Sequence, residues 1–234
     1  MWQPEYNRSL DQPPNWEGAP WRLWLDSSPQ RVALQSVTEN AGPLDLVTLM
    51  PTSDDVLPML TEQYARGGEL FSVYPQPDTS DDTPDYGIKY CILPNADSES
   101  ILQVRLVTNV QTLLLDCHPT IDLVPGGTVV RRGKVDTAAH VITDVPAGNI
   151  AADVTIAERD GLHIALLLGS RDQPFTGDHS DDGRTRLTLF EEFLEKGVIR
   201  TAMPWILVSA ETISDDQILN AYSMQAAAPL PLTA

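Results

Sequence analysis

Four histidines, two cysteines and four copies of the tripeptide Ser-Asp-Asp are the residues of this 234-residue chain whose types and spacing could do chemistry. The segment from Asp178 to Gly183 is the most pointed of them. Asp178, Ser180 and Asp182, followed by Gly183, match the first half of a calcium loop, where oxygen ligands at alternate positions and a glycine turn surround the ion. The second half does not match. Leu189 stands where a bidentate glutamate is required, and Glu191 and Glu192 come too late. Gln173-Pro174-Phe175-Thr176-Gly177 leads into the loop in place of an apolar helix. The expectation is an acidic surface loop, with a Ca2+ ion held by Asp178, Ser180 and Asp182 as the alternative.

The remaining copies of Ser-Asp-Asp read differently. Ser53 and Ser214 each precede apolar residues at helical spacing, and a serine followed by acids suits the N-terminus of a helix. The copy at 80–82 falls in a polar loop. His118, His140, His163 and His179 form no pair at metal-ligand spacing. Cys117 and His118 are adjacent, and neighbours on a strand point to opposite faces. Cys91, Cys117 and His118 could form a zinc site only if the strand breaks at Pro119. The plainer expectation for both cysteines is a small buried thiol, with a single disulfide as the alternative. No Gly-x-Ser-x-Gly elbow is present, and Gly67-Gly68 and Gly126-Gly127 lack the spacing of a nucleotide loop.

Four of the five tryptophans, Trp2, Trp16, Trp21 and Trp24, cluster near the start of the chain among Pro4, Pro13, Pro14 and Pro20. Proline at this density blocks ladders and helices. The expectation is an extended arm, residues 1–21, whose rings strap onto the body or dock another subunit. The alternative is a platform on which Trp16, Trp21 and Trp24 stack sugar rings.

Charge narrows the partners. Lysine and arginine number 15 against 33 acids, a net charge of −18. A phosphate-binding groove needs clustered cations, so nucleic acid and anionic membrane surfaces are disfavoured. The one basic cluster, Arg131-Arg132-Gly133-Lys134, reads as a solvated strand face, or as a patch that would attract acidic loops of another copy. No apolar run is long enough to span a membrane as a helix, and Met1 to Glu5 does not resemble a signal peptide. A cytoplasmic protein is the default expectation.

These groups must be positioned by strands. Period-two alternation marks Arg22–Asp26, Arg31–Thr38, Leu44–Met50, Leu70–Tyr74, Tyr86–Leu93, Ile101–Val107, Val110–Cys117, Thr128–Val135 and Ala139–Val145. Thr108-Asn109 reads as a tight hairpin turn. The clearest hairpin is 150–168, turning at Asp160-Gly161, with His163 on the face opposite the leucines. Val198–Ile199 and Trp205–Val208 are also strand-like. Helical spacing predicts a helix over 53–66, stopped by Gly67-Gly68, a second over 186–195, and a last short one from Ser214 to about Met224. Residues 169–185 read as a long polar loop.

The expected fold is therefore α+β and β-dominated: an antiparallel sandwich or curled sheet with two or three short helices packed at an edge. It spans residues 22–225 as one domain, with a possible sub-boundary near 75–85 and a frayed tail at 226–234. No convergent set of titratable side chains stands out, so the leading expectation is a non-catalytic interaction or assembly module that meets a protein partner or a second copy. A carbohydrate-binding or carboxylate-dependent hydrolytic protein, and a calcium-stabilised β-protein, are the alternatives.

Overall fold

A computed structural model describes residues 1–2, 14–28, 30–38, 41–52, 56–77, 84–96, 100–148, 151–181 and 184–229. In chain order the strands are β1 (Asn15–Gly18), β2 (Trp21–Ser28), β3 (Arg31–Thr38), β4 (Ala41–Pro51), β5 (Glu62–Arg66), β6 (Glu69–Tyr74), β7 (Gly87–Asn95), β8 (Ile101–Gln111), β9 (Ile121–Pro125), β10 (Thr128–Asp136), β11 (Val141–Asp144), β12 (Val154–Arg159), β13 (Leu162–Leu167), β14 (Thr176–Asp178), β15 (Leu187–Leu189), β16 (Ile199–Ala202) and β17 (Trp205–Ser209). A 3-10 turn spans Gln173–Phe175, and α1 spans Asp215–Ala227.

The strands form two antiparallel sheets. One runs β1-β2-β3-β4-β9-β15-β14, the other β11-β10-β12-β13-β17-β8-β7-β6-β5, with β16 added beside β8. The inward faces of both sheets share one apolar core, in which Leu23, Leu25 and Leu123 of the first sheet meet Leu102, Val104 and Ile164 of the second. Burial of such side chains contributes about 1.5–3 kcal/mol each, and it dictates which face of each strand turns inward. The outer face of β12, β13 and β17 is covered in turn by α1, where Ile218, Leu219 and Tyr222 pack against Ala165, Leu167 and Leu207. The middle of the larger sheet is therefore buried on both faces.

Alternation and turn chemistry account for most of these strands. The hairpin at Asp160-Gly161 has both turn residues at positive φ, 50° and 80°, as a two-residue hairpin turn requires. Its strands pair from Arg159–Leu162 to Val154–Leu167, and His163 lies on the face opposite Leu162 and Ile164. Ser214 caps α1 as its sequence implies: its Oγ accepts from Gln217 N–H, and the Gln217 side chain accepts from Ser214 N–H at 2.7 Å.

Several expectations are corrected. Among the described residues there is one α-helix, not two or three. Of the helix expected over 53–66, residues 53–55 lie outside the described residues, 56–61 are irregular, and Glu62–Arg66 is strand β5. Gly67 and Gly68 have φ of 61° and 88°, so they form a hairpin turn into β6 rather than a helix stop. Tyr64 then stacks across the pair on Phe71, ring centroids 5.0 Å apart.

The second expected helix, 186–195, is also absent. Leu187–Leu189 joins β9 and β14 in the first sheet, and the chain turns at Phe190, whose φ is 63°. Leu187, Phe190 and Leu194 are all buried, so the apolar spacing was real, but a ladder and a turn satisfy the backbone. The hairpin expected at Thr108-Asn109 is one unbroken strand. Leu102, Val104, Leu106, Thr108 and Val110 alternate inward without a break, and Thr108 continues the buried face. The strand ends at Gln111, so Val110–Cys117 is not a strand; Cys117 makes an isolated bridge to Leu194. Finally, the expected loop 169–185 contains the 3-10 turn and β14.

Of the arm, residues 3–13 lie outside the described residues. Asn15–Gly18 adds an edge strand to β2, and Trp2 bridges Trp16. Strands β6 and β7, which flank the 75–85 segment, pair directly with each other. Among the described residues no helix is long and apolar enough to cross a membrane.

Candidate functional site

Strand β8 is longer than either neighbour on one of its sides. Trp205–Ser209 pairs with its first half, Ile101–Arg105, and β16 pairs with its second half, Thr108–Gln111. Among the described residues no strand pairs with the other edge of β16. Residues Arg200, Thr201 and Ala202 of β16 form one wall of a cavity of about 270 Å³, completed by Asp172, Phe175, Thr176, Phe190 and Val198. The lining is mainly apolar, with a few polar groups, as small-ligand and side-chain pockets usually are.

The cavity owes its shape to a tight turn. Asp172 N–H and Gln173 N–H both donate to Gly169 O, and Phe175 N–H and Thr176 Oγ1 donate to Asp172 O at 3.2 and 2.8 Å. Pro174 sits in the first positions of the 3-10 turn, where its missing donor costs nothing. Helix α1 fixes the floor. Gln225 Nε2 donates to Met203 O at 2.8 Å, and Met203 N–H donates to Asp172 Oδ1 at 3.1 Å.

Asp172 is the distinctive group. It is 4% exposed, and none of the ion pairs among the described residues includes it. Burial pushes its carboxyl up to about 6, against the pull of the Met203 N–H and the more distant Arg171 guanidinium. A buried carboxylate without a cation is expensive, and such groups concentrate at functional sites. Among the described residues the other buried acids are matched. Asp178 is paired with Arg132, and Asp153 with Lys134 at 2.9 Å. Asp122 accepts from Thr188 Oγ1 at 2.6 Å and Thr52 Oγ1 at 3.0 Å.

On the opposite wall Arg200 lies over the Phe175 ring, 4.8 Å from its centroid. Its guanidinium is already committed, donating to Glu192 at 3.3 Å and to Phe193 O at 3.2 Å. Phe190 supplies an aromatic wall from a left-handed backbone, which costs about 1–2 kcal/mol for a non-glycine residue. The turn is held there by Glu191 N–H donating to Phe175 O at 3.2 Å.

An apolar rim adjoins the cavity. The segment 112–118 lies against 193–199: Gly197 N–H donates to Thr112 O, Leu194 N–H to Cys117 O, and the His118 and Phe193 rings meet edge to face. This places Leu113, Leu115, Phe193, Val198 and Ile199 at one end of the molecule, with exposures from 39% to 81%. Exposed apolar side chains gathered on paired segments are a feature of interaction surfaces.

The tryptophans and calcium-loop residues singled out in the sequence are not among the residues lining the cavity. Trp16 and Trp21 are buried in the core, while Trp24 is 36% exposed on the outer face of β2. Asp178 is fully enclosed with Arg132, and its Oδ1 accepts from Ser180 N–H at 3.0 Å. Ser180 Oγ accepts from Arg186 N–H, and Asp182 lies outside the described residues. Among the described residues no three His, Cys, Asp or Glu side chains converge as a metal site would need. Cys91 and Cys117 are free buried thiols, and burial pushes the Cys91 thiol up to about 12.

The basic cluster is consumed within the chain: Arg131 binds Asp144 and Asp215, Arg132 binds Asp178, and Lys134 binds Asp153. Sequence reasoning missed Asp172, Phe175 and Arg200. The available signals were Pro174-Phe175 inside a polar stretch and the short apolar pair Val198-Ile199 after Gly197. Comparison of the chain with models of known protein families finds no match, and comparison with curated protein sequences finds none either.

Proposed function

We propose that the protein is a non-catalytic interaction module that docks an extended, basic segment of a partner protein along β16. The observation that carries this reading is the combination at one place of an unpaired sheet edge, an apolar rim and a cavity large enough for one side chain. An extended segment added to a sheet edge gains main-chain hydrogen bonds, and pockets beside the edge select its side chains.

Charge selects the kind of partner. A second copy carries the same −18 and is repelled, and the only basic cluster is neutralised by acids of its own chain. A basic segment is attracted instead, and long-range attraction raises its rate of encounter.

The test uses short labelled peptides that alternate valine with lysine, serine or glutamate, titrated by fluorescence polarisation. The lysine series is expected to bind, and to weaken as salt rises. Ile199→Asp makes the protein still more acidic, so simple charge attraction would strengthen binding. Docking on the apolar rim predicts the opposite, a loss of about five- to tenfold from the lost burial of one aliphatic side chain. Equal binding of lysine and glutamate peptides, or no loss in Ile199→Asp, would overturn the proposal.

A further inference from the structure

The cavity beside β16 contains a feature that a purely apolar pocket would not need. Asp172 is almost fully enclosed, accepts one hydrogen bond from Met203 N–H, and has no cation within ion-pair distance among the described residues. Phe175, Phe190, Val198 and Ala202 line the cavity beside it. A carboxylate in that setting gains more from an added cation than one at the surface, because the attraction is less screened.

The other charged and titratable groups around Asp172 do not fill this role. Arg171, its chain neighbour, donates to Ala228 O at 3.1 Å and Ala226 O at 3.4 Å at the end of α1. Arg200 is held by Glu192 and Phe193 O and stacked on Phe175. Tyr222 of α1 senses the Asp172 charge through the buried layer and stays neutral, since burial pushes its hydroxyl up to about 12.

We infer that the cavity is a primary-ammonium site: a chain of a few methylenes lies against Phe175, Phe190 and Val198, and its terminal ammonium meets the Asp172 carboxylate. A lysine side chain has this form, an apolar stem with a cationic tip. For the lysine of a docked segment the inference rests on the docking reading above. A free alkylamine would satisfy the same chemistry. The negative field of the chain favours either source.

The experiment is a titration of 15N-labelled protein with n-pentylamine at neutral pH, with 1-pentanol as the uncharged control. Saturable shifts are expected at Phe175, Thr176, Val198 and Thr201 with pentylammonium, at least about tenfold tighter than any with pentanol. Asp172→Asn keeps an acceptor for Met203 N–H and removes the charge, so the preference for the ammonium is expected to vanish. Val198→Trp narrows the cavity mouth from a partly exposed position and is expected to weaken pentylammonium binding in a protein whose spectrum is otherwise unchanged.

Equal affinity for amine and alcohol, or an undiminished preference in Asp172→Asn, would overturn the inference. A lysine peptide and its Nε-acetylated form separate the two sources. If the peptide binds several-fold tighter than its acetylated form and tighter than pentylamine, the ligand is a partner's lysine; if pentylamine binds and neither peptide does, it is a free amine and the docking reading fails alone. If both peptides bind alike through the β16 face while pentylamine does not bind, the docking reading stands and the ammonium site fails.

Discussion

Replacing Asp172 by asparagine is expected to make the protein more stable at neutral pH. In the fold the carboxyl is raised from an ordinary 3.8 to about 6, so the folded state prefers the protonated form. Stability from that preference is complete below about pH 4 and is lost as pH rises through about 6. The gap between 3.8 and about 6, at about 1.36 kcal/mol per pH unit, amounts to about 3 kcal/mol of instability at neutral pH.

Because Asp172 is 4% exposed, solvent screening removes little of this. Asparagine keeps the bond to Met203 N–H as a neutral acceptor, and the net rise of the carboxyl already contains the contribution of that bond. A net gain of about 3 kcal/mol near pH 7.5, shrinking to nothing near pH 4, is the result. Urea unfolding of both proteins across that range, at fixed m-value, measures it. A variant that is less stable at neutral pH, or a difference that does not change between those two pH values, would refute the reasoning. The gain also has a functional meaning: a site that holds an uncompensated charge for a ligand gives up stability until the ligand arrives.

Other consequences follow from the same structure. A Cβ on Gly126 would lie 1.7 Å from the Asp45 carbonyl oxygen, so Gly126→Ala is expected to destabilise by at least about 1–3 kcal/mol, read as a lower urea midpoint. Cys91 and Cys117 are enclosed and burial raises both thiols, so the native protein is expected to be inert to a thiol-reactive dye at mildly alkaline pH; fast labelling of either without denaturant would contradict this. Arg132 is the cation that Asp178 already holds, so a chelator is expected to leave the melting temperature unchanged, and a clear fall would point to a bound metal. Removing one partner of that enclosed pair, as in Arg132→Met, is expected to cost about 3–5 kcal/mol by thermal or urea unfolding.

The strand framework was largely legible in the chain because alternation is a direct imprint of a half-buried ladder, as in Leu102, Val104, Leu106, Thr108 and Val110. The same strand shows how turn signals mislead. Thr108-Asn109 looks like a hairpin turn until one notes that the buried phase runs straight through it. The mistaken helix over 186–195 has a physical cause. Leu187, Phe190 and Leu194 are buried at helical spacing, yet a strand followed by a left-handed turn at Phe190 delivers the same three side chains to the core. Only long-range pairing with β9 decides between them, and one sequence does not encode that pairing locally.

The cavity was invisible for a related reason. Nothing in Arg171-Asp172-Gln173 distinguishes a solvated aspartate from an enclosed one. Its enclosure depends on Met203, 31 residues away, and on Gln225 in α1 behind it. The acidic triplets and tryptophans drew attention because their types are conspicuous. The structure spends Asp178 on pairing with Arg132, Ser214 on capping α1, and Trp2, Trp16 and Trp21 on filling the core.

The most direct measurement is the titration of the Asp172 side-chain carbonyl by 13C NMR, in the free protein and with pentylammonium present. An enclosed carboxylate awaiting a cation predicts a midpoint of about 6 in the free protein, moving down when the amine binds, because a nearby positive charge favours the ionised form. A midpoint near the ordinary 3.8, or one that the amine does not move, would contradict the account.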